Sequence, residues 1–317
     1  MRIFRHYEQV PDAFRGAVVA VGNFDGVHRG HQALIAEAEA KARERGAPLG
    51  ILAFEPHPQE FFRPQRESFR LTPFRTKARH IEALGVDLLF ALHFDRDFAK
   101  RTAEQFIDEI LVRGLGASHV IVGYDFVFGN QRRGTAAFLV DQARARGFAV
   151  TIVERETASG GEAYSSTRIR EYLTGARPRE AAKLLGRWWE IDGRVEHAAG
   201  VGKSLGYPTA NLPLADYLRP TPGIYAAFAG IEDGKRTEWH PAAAYFGRRP
   251  TLGEHALGLE AYLIDFAGEL YGRHLRLALV DYLRPDATFA GLDALKAQIG
   301  DDVARARRIL AAEKPEA

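Results

Sequence analysis

Residues 18–31 read VVAVGNFDGVHRGH, and this stretch decides the fold of the first half of the chain. Its leading apolar residues predict a buried strand, the glycine-rich residues predict a loop, and the amphipathic residues over about 32–45 predict a helix. Ligands of open parallel sheets bind beyond the carboxyl ends of the strands, and a helix N-terminus there presents free N–H groups to an anion. The stretch therefore predicts an anion-binding loop between a strand and a helix.

Strands and helices continue to alternate after this stretch. Apolar runs predict strands at residues 51–54, 87–92, 119–123 and 149–153. Amphipathic stretches predict helices at residues 77–84, 103–112 and 136–146. Alternation of this kind predicts an α/β domain, with a parallel sheet and helices on both of its faces.

The pattern changes near residue 187. From there, short β-rich runs broken by Gly and Pro predict strands at residues 189–195, 223–228, 242–246, 259–266 and 275–283. A final amphipathic stretch at 291–313 predicts a helix. These runs favour an antiparallel barrel or sandwich, and we place the domain boundary between residues 186 and 187, after a helical segment at 179–185.

Length and composition suit a globular protein of two domains. A domain typically has ~100–200 residues, and the chain has 317, of which 46% are hydrophobic and 26% charged. The absence of cysteine excludes disulfides, thiolate metal sites and thiol nucleophiles. The net charge of +2 favours neither a nucleic-acid nor a membrane partner, and the first residues lack an apolar run of signal-peptide length. We therefore expect a soluble cytoplasmic protein.

Two histidines, His28 and His31, stand at the predicted start of the first helix, among glycines that allow close approach of a ligand. Their spacing lets them converge on a phosphate and donate hydrogen bonds to its oxygens in a transition state. His-x-x-His spacing also occurs in zinc sites. Two incidental surface histidines are a third interpretation, and the spacing alone leaves all three open.

Four motifs in the first half resemble, in the same order, those of the prokaryotic FAD synthetases. Residues 23–31, NFDGVHRGH, resemble the HxGH signature of nucleotidylyltransferases. The others are FEPHP at 54–58, GYDFVFG at 123–129 and SSTRIR at 165–170, which resembles the second signature of that superfamily. The resemblance implies an α/β nucleotidylyltransferase (Rossmann-like, HxGH) domain that transfers the adenylyl group of ATP to FMN.

The same resemblance assigns site residues. It implies that His28 and His31 are catalytic. It implies that ten further residues bind substrate: Asn23, His57, Asp125, Phe126, Phe128, Ser165, Ser166, Thr167, Arg168 and Arg170. Without the resemblance, His57 suits a turn, the two phenylalanines suit the core, and the serines and arginines suit a helix cap with surface charges.

Residues 193–212 read GRVEHAAGVGKSLGYPTANL and form a second glycine-rich motif. The GVGKS within it superficially fits a P-loop, but His197 stands where that motif requires its first glycine. The stretch instead resembles the riboflavin kinase domain of bifunctional FAD synthetases, in which a glycine-rich loop leads into Pro-Thr-Ala-Asn.

The kinase resemblance implies a second set of site residues. Thr209 and Asn211 alternate by two, so both face one side of an extended segment, where they are candidate Mg²⁺ ligands. Gly202 and Lys203 are candidate substrate-binding residues. Glu260, a carboxylate in an apolar strand, is the candidate base for the ribityl 5′-hydroxyl of riboflavin. Local hydrogen bonds for the threonine and asparagine, and a salt bridge for the glutamate, are the structural alternatives.

The kinase half departs from the family pattern at three positions. Ala198 stands where a glycine is usual, Lys203 where an arginine is usual, and Tyr245 where an asparagine is common. Alanine restricts the backbone, and lysine lacks the bidentate fork of arginine. We expect these changes to affect kinase efficiency more than kinase identity.

Together, the resemblances imply a bifunctional enzyme with two domains. Residues 1–186 form the FMN adenylyltransferase domain, and residues 187–317 form the riboflavin kinase domain, an antiparallel β-barrel with a C-terminal helix. ATP is the co-substrate, Mg²⁺ the cation, and riboflavin, FMN and FAD the other ligands. Three rivals remain: an adenylyltransferase with an impaired kinase, a regulatory flavin- or nucleotide-binding module without turnover, and an adenylyltransferase for another phosphate ester.

Overall fold

The computed structural model describes residues 1–62, 68–157, 161–197, 205–214, 216–234, 236–248 and 257–315. These residues form two compact units. The described residues among 1–67 and 72–165 belong to the first unit, and those among 68–71 and 166–317 belong to the second.

The first unit is built on a parallel sheet. Its strands and a small hairpin are β1 (Arg2–Phe4), β2 (Val18–Val21), β3 (Leu49–Glu55), β4 (Leu88–His93), β5 (His119–Gly123), the hairpin strands β6 (Val127–Phe128) and β7 (Gly134–Thr135), and β8 (Ala149–Val153). Among the described residues the sheet has six strands in the order β1-β4-β3-β2-β5-β8, and every neighbouring pair is parallel. The strand order reverses at β2, which has β3 on one side and β5 on the other.

Strand β2 shows why both faces of this sheet are covered. All four of its residues are buried. Val18 and Ala20 pack into one apolar cluster, and Val19 and Val21 pack into another. Successive side chains of a strand point to opposite faces, so a continuous apolar run needs helices on both sides. The predicted α/β fold of the first half is confirmed.

Helices connect these strands. They are α1 (Arg29–Arg45), α2 (Pro58–Phe62), α3 (Phe74–Ala83), α4 (Arg96–Ala99), α5 (Ala103–Gln105) with a π-helix over Phe106–Gly114, and α6 (Ala136–Ala143), with 3₁₀ turns at Asp12–Phe14, Asn130–Arg132 and Arg144–Arg146. The sequence predicted one helix over 103–112, and most of this stretch is π-helical. Amphipathic periodicity does not distinguish the two helix types, because both bury one face.

The second unit contains two helices before its strands, α7 (Ser166–Thr174) and α8 (Pro178–Leu185). Residues 68–71 also belong to it. The compact units therefore divide between Ser165 and Ser166. The predicted boundary at 186/187 concerns which residues carry each activity, and it stays a prediction.

The sheet of the second unit is antiparallel. Its strands are β9 (Trp189–Arg194), β10 (Ala210–Leu212), β11 (Gly223–Asp233), β12 (Arg236–Arg248), β13 (Leu257–Leu263) and β14 (His274–Arg284), followed by α9 (Leu292–Leu310). Among the described residues these six strands have the order β10-β13-β12-β11-β14-β9. The Glu196 N–H donates to the Asn211 carbonyl at 2.9 Å and joins the chain after β9 to the opposite edge strand. The sheet therefore curls as a half-barrel, and the predicted barrel with a C-terminal helix is confirmed.

Helix α9 packs its apolar side against this sheet, in a cluster that includes Phe228, Ala278, Ala306 and Leu310. None of the helices in the described ranges is long and apolar enough to cross a lipid bilayer.

Candidate active sites

The candidate adenylyl-transfer site lies at the carboxyl end of the parallel sheet, where the strand order reverses. Strands β2 and β5 are neighbours there. Loops that leave adjacent strands toward opposite sides open a crevice between them, and this crevice is the usual ligand position in open α/β sheets. The predicted motifs at 23–31, 54–58 and 123–129 follow or overlap the ends of β2, β3 and β5.

The loop after β2 turns sharply because three of its residues have left-handed backbone angles. These are Phe24 (φ 50°), Gly26 (φ 86°) and Val27 (φ 43°). A positive φ is unfavourable for phenylalanine and valine, and such residues cluster at functional sites when the surroundings hold them. The loop therefore needs anchors elsewhere in the fold.

Asp25 and Thr72 provide such an anchor, and both are buried. One carboxylate oxygen of Asp25 accepts from the Thr72 backbone N–H at 3.0 Å and from its hydroxyl at 3.3 Å. The Gly26 N–H donates to the same threonine hydroxyl at 2.9 Å. The sequence interpretation did not single out this pair, because nothing local in the sequence links two residues 47 positions apart.

His28 is buried and caps α1, with its Nδ1 accepting from the His31 backbone N–H at 3.3 Å. Because Nδ1 is an acceptor, the neutral imidazole carries its proton on Nε2, which is then a donor. The His31 ring stacks on it with centroids 3.7 Å apart and an angle of 18°. Gly30 leaves room for this arrangement, since a Cβ there would lie 3.3 Å from the His28 ring. The structure thus brings the two predicted catalytic histidines together, with Asn23 half-buried in the same loop.

His57 is buried just beyond β3. Its Nδ1 accepts from the Gln59 N–H at 3.1 Å, so its neutral form also presents an Nε2 donor. Beside it in the chain, Glu55 accepts from the Lys77 ammonium at 2.9 Å, with the lysine side chain only 2% exposed. Breaking such a buried pair is costly, because the remaining charge is left uncompensated. This ion pair, absent from the sequence interpretation, fixes the end of the strand that leads to His57.

The predicted substrate-binding residues after β5 differ in their surroundings. Phe128 is buried in the core, with its ring centroid 5.2 Å from that of Phe106. Phe126 is only half-buried and stacks on Phe128 at 5.2 Å and 17°. Asp125 is exposed. Phe126 and Asp125 are therefore accessible to a ligand, whereas Phe128 packs beneath the Phe126 ring.

The motif at 165–170 is divided between the two units. Ser165 belongs to the first, while Ser166, Thr167, Arg168 and Arg170 lie in the first turns of α7 in the second. Arg168 forms an ion pair with Glu171 at 2.8 Å, and the Arg170 Nε donates to the Phe69 carbonyl at 2.7 Å. Their predicted role in substrate binding stays a prediction.

The candidate kinase site is assembled by strand register. Asn211 of β10 lies opposite Glu260 of β13, and directly opposed residues of an antiparallel pair share one face. The Thr209 hydroxyl donates to the Glu260 carboxylate at 3.1 Å. The three predicted residues of this site therefore lie together, whereas Gly202 and Lys203 lie outside the described residues, as does Ala198.

These residues fit a divalent cation. The Asn211 side chain is buried, and its Oδ1 has no hydrogen-bond partner among the described residues. The Thr209 hydroxyl uses its proton in the hydrogen bond to Glu260, so the lone pairs of its oxygen are available to a cation. Neutral oxygens of this kind, completed by phosphates and water, suit Mg²⁺. Within the described ranges no cluster of three His, Asp or Glu side chains offers another metal site.

Tyr245 is a neighbour of this site. It lies opposite Glu260 on β12, so tyrosine, glutamate and Asn211 form one row across three strands. Its hydroxyl lies 2.8 Å from the Asp286 carboxylate and 3.2 Å from the Arg248 carbonyl. The sequence identified Tyr245 only as a departure from the family pattern, because register decides its contact with this row.

Two family models match the chain: FAD synthetase over residues 10–168, and riboflavin kinase over residues 185–310. A protein of Escherichia coli (strain K12) named bifunctional riboflavin kinase/FMN adenylyltransferase is 38% identical over 316 residues, which cover 99% of each chain. The chain belongs to this bifunctional family. A Pseudomonas fluorescens protein of the same name is 40% identical over 312 residues, covering 98% of each chain.

A solved structure also resembles this member of the bifunctional family. It is a Streptococcus pneumoniae protein named as a macrolide-efflux protein, with a TM-score of 0.84 and 28% sequence identity. The likeness covers 96% of this chain and 98% of that chain. It supports the fold over nearly the whole length.

Proposed function

We propose that this chain catalyses two ATP-dependent reactions, phosphorylation of riboflavin to FMN and adenylylation of FMN to FAD. Its membership of the bifunctional family supports both. One structural observation carries the proposal: in each unit, predicted reactive side chains lie in contact. His28 stacks on His31 in the first unit, and Thr209 donates to Glu260 in the second.

For adenylyl transfer, we propose an in-line attack of an FMN phosphate oxygen on the α-phosphorus of ATP. The new P–O bond forms as the bond to the β-phosphate oxygen breaks, and pyrophosphate leaves. His28 and His31 donate hydrogen bonds to the α-phosphate oxygens, which gain charge in the transition state. No covalent enzyme intermediate is needed, since positioning and charge stabilisation supply the rate.

For phosphorylation, we propose that Glu260 accepts the proton of the ribityl 5′-hydroxyl while that oxygen attacks the γ-phosphorus of ATP. The bond to the β-phosphate oxygen breaks, and ADP leaves. The hydrogen bond from Thr209 holds the carboxylate in one orientation. A hydroxyl is a poor nucleophile until its proton is withdrawn, which is the contribution of a general base.

Mg²⁺ is the proposed cation, and Thr209 and Asn211 are its proposed ligands in the kinase site. When bound, it neutralises phosphate charge and orients the nucleotide. We propose residues 1–186 and 187–317 as the domains that carry the two activities, supported by the family matches to 10–168 and 185–310. The cytoplasm, which supplies ATP, is the proposed compartment.

The test is incubation of the purified chain with riboflavin and Mg-ATP, followed by chromatographic separation of riboflavin, FMN and FAD. We expect FMN to appear first and FAD to follow, and chelation of the cation to stop FMN formation. FMN supplied directly should give FAD and pyrophosphate in equal amounts. Binding of both flavins without turnover would contradict the proposal and favour a regulatory module.

A second candidate, an FMN adenylyltransferase with an impaired kinase, is favoured by one observation. Tyr245, a bulky residue, is paired with Glu260 across β12 and β13, at a position where the family commonly has asparagine. In the same assay, this candidate would convert supplied FMN to FAD but would accumulate no FMN from riboflavin.

A further inference from the structure

Residues 68–72 pass from one compact unit to the other. By their contacts, residues 68–71 belong to the second unit, while Thr72 belongs to the first. The crossing lies far upstream of residue 185, where the match to riboflavin kinase begins. The peptide group between Leu71 and Thr72 is therefore shared, with its carbonyl on a residue of one unit and its N–H on a residue of the other.

Three successive carbonyls of this segment accept hydrogen bonds within the second unit. The Phe69 carbonyl accepts from the Arg170 Nε at 2.7 Å, and the Arg70 carbonyl accepts from the Leu218 N–H, also at 2.7 Å. The Leu71 carbonyl accepts from the indole N–H of Trp189 at 2.9 Å. These contacts hold the segment residue by residue.

Trp189 is a rigid donor in this arrangement. It is 2% exposed, and its ring packs edge-on against Tyr217, with centroids 6.3 Å apart. Tyr217 in turn forms a parallel bridge with Arg70. The indole therefore has little freedom to leave the Leu71 carbonyl.

The other end of the same peptide group binds the histidine-bearing loop of the first unit. The Thr72 N–H donates to Asp25 at 3.0 Å, and the threonine hydroxyl accepts from the Gly26 N–H at 2.9 Å. Asp25 and Gly26 precede His28 by only a few residues. They lie within the left-handed turn that needs external anchoring.

We propose that Trp189 is a positioning residue for adenylyl transfer, acting through the Leu71–Thr72 peptide group and Asp25 on the loop that carries His28. A peptide group is planar, so a donor that fixes the carbonyl also fixes the direction of the N–H. A hydrogen bond to the carbonyl also polarises the amide and strengthens the N–H as a donor to the carboxylate. A tryptophan of the kinase half thereby supports the other active site. This inference rests on the proposed role of His28.

The test compares two neighbouring tryptophans in the full-length protein. Trp188 is also buried, and its indole N–H donates to the Lys314 carbonyl at 2.8 Å, away from the segment. Trp189→Phe and Trp188→Phe thus each remove one indole-to-carbonyl hydrogen bond from the same unit. FAD formation from supplied FMN and FMN formation from supplied riboflavin are measured on both variants.

We expect Trp189→Phe to lower kcat for FAD formation about three- to tenfold relative to Trp188→Phe, the effect typical of one lost hydrogen bond. The KM for FMN should change little, because the loop positions donors for the transition state. FMN formation should be alike in the two variants, which shows that the second unit is folded. Equal FAD formation in both variants, or equal loss of both activities in Trp189→Phe, would overturn the inference.

Thr72 provides a second, independent measurement. Thr72→Val removes the hydroxyl that holds Gly26, and Thr72→Ser retains it, so the serine variant should keep FAD formation near the wild-type rate. The double variant Trp189→Phe/Thr72→Val should lose less than the product of the single losses, because both changes loosen the same turn, one through Asp25 and the other through Gly26. A fully multiplicative loss would contradict the coupling. Should Trp189→Phe not fold, Tyr217→Leu removes the ring that packs against the indole and should show the same selective loss.

His28→Ala in the same assay separates this inference from the proposed function. Suppose that His28→Ala abolishes FAD formation while Trp189→Phe and Trp188→Phe form FAD at the same rate. Then only the inferred coupling of Trp189 to the histidine-bearing loop is wrong. If His28→Ala leaves FAD formation intact, the proposed site and the coupling are both wrong.

Discussion

The two candidate sites are built in different ways. In the first unit, His28 and His31 come from one short stretch, and a loop with left-handed residues and the start of a helix place them. In the second unit, Thr209 and Glu260 lie 51 positions apart, and the register of β10 and β13 brings them together. One site depends mainly on local backbone conformation, and the other depends on long-range strand pairing.

This difference predicts how each site responds to change. A loop held by a few anchors is sensitive to the residues that hold it, such as Thr72, even where these touch no substrate. A site on paired strands is already rigid, so its sensitivity lies in the reactive groups themselves.

The largest effect is expected at Glu260. Glu260→Gln nearly preserves shape and volume but cannot accept the proton of the riboflavin hydroxyl. We expect kcat for FMN formation to fall ~10²–10⁴-fold, with little change in the riboflavin KM, as general-base assistance is worth this much. FAD formation from supplied FMN should persist. Steady-state kinetics of both reactions on one preparation measures this.

Glu190→Gln is the matched control for a structural carboxylate. Glu190 is buried in the same sheet and forms a bidentate ion pair with Arg276, with both contacts at 2.8 Å. Glu190→Gln should lower the melting temperature of the protein, while turnover by the molecules that remain folded stays near normal. If Glu260→Gln behaves in the same way, then Glu260 is structural and the catalytic assignment is wrong.

The next effect is expected in the loop of the first unit. Replacing either His28 or His31 with Ala removes a donor to the transition state, and such a loss costs ~10²–10³-fold in rate. FAD formation should fall by this factor, while FMN formation from riboflavin stays near the wild-type rate. His6→Ala, at an exposed position near the N-terminus, should change neither activity. Equal damage to both activities would point to a structural role for the two histidines.

A smaller effect is expected at Tyr245. Tyr245→Phe keeps the aromatic ring but removes the hydroxyl that lies 2.8 Å from the Asp286 carboxylate and 3.2 Å from the Arg248 carbonyl. We expect about a fivefold fall in kcat/KM for FMN formation, the size of one lost hydrogen bond, and none in FAD formation. Tyr282→Phe is the control, because its hydroxyl donates to the Pro222 carbonyl at 3.0 Å in the same unit. Equal effects in the two variants would show that Tyr245 has no specific role in the kinase site.

The contrast between local conformation and long-range pairing also decides which features of the protein the sequence predicts. The four motifs of the first half, the α/β alternation and the change to β-rich runs are local patterns, so fold class and most strands follow from them. The sequence did not predict β1, which has only three residues, none of them buried. It also missed the Asp25–Thr72 anchor, the Lys77–Glu55 ion pair and the row that includes Tyr245. Each of these joins residues brought together by tertiary packing, about which short motifs carry no information.

His119 offers a test at the opposite end of the first sheet. It stands at the amino end of β5, away from the ligand loops. The ring is buried, with Nε2 2.8 Å from the Thr151 hydroxyl and Nδ1 without a hydrogen-bond partner among the described residues. Burial, and next the nearby charges of Arg45 and Lys41, lower the pKa of His119. The folded state therefore holds this imidazole neutral at a pH where the unfolded chain has already bound a proton.

The smallest expected effect follows from this histidine. Because the unfolded chain binds more protons than the folded one below the ordinary histidine pKa of about 6.5, the stability that neutral His119 contributes is fully present above that pH and is lost as pH falls below it. His119→Gln cannot titrate, so its melting temperature should fall less steeply between about pH 7 and pH 5, by a few degrees at most. His6→Gln, at an exposed position, should keep the wild-type slope. Loss of FAD formation at low pH should then follow the stability of the first unit more closely than FMN formation does. Identical slopes in wild type and His119→Gln would show that this ring binds the same number of protons in the folded and unfolded states, which would contradict a lowered pKa for His119.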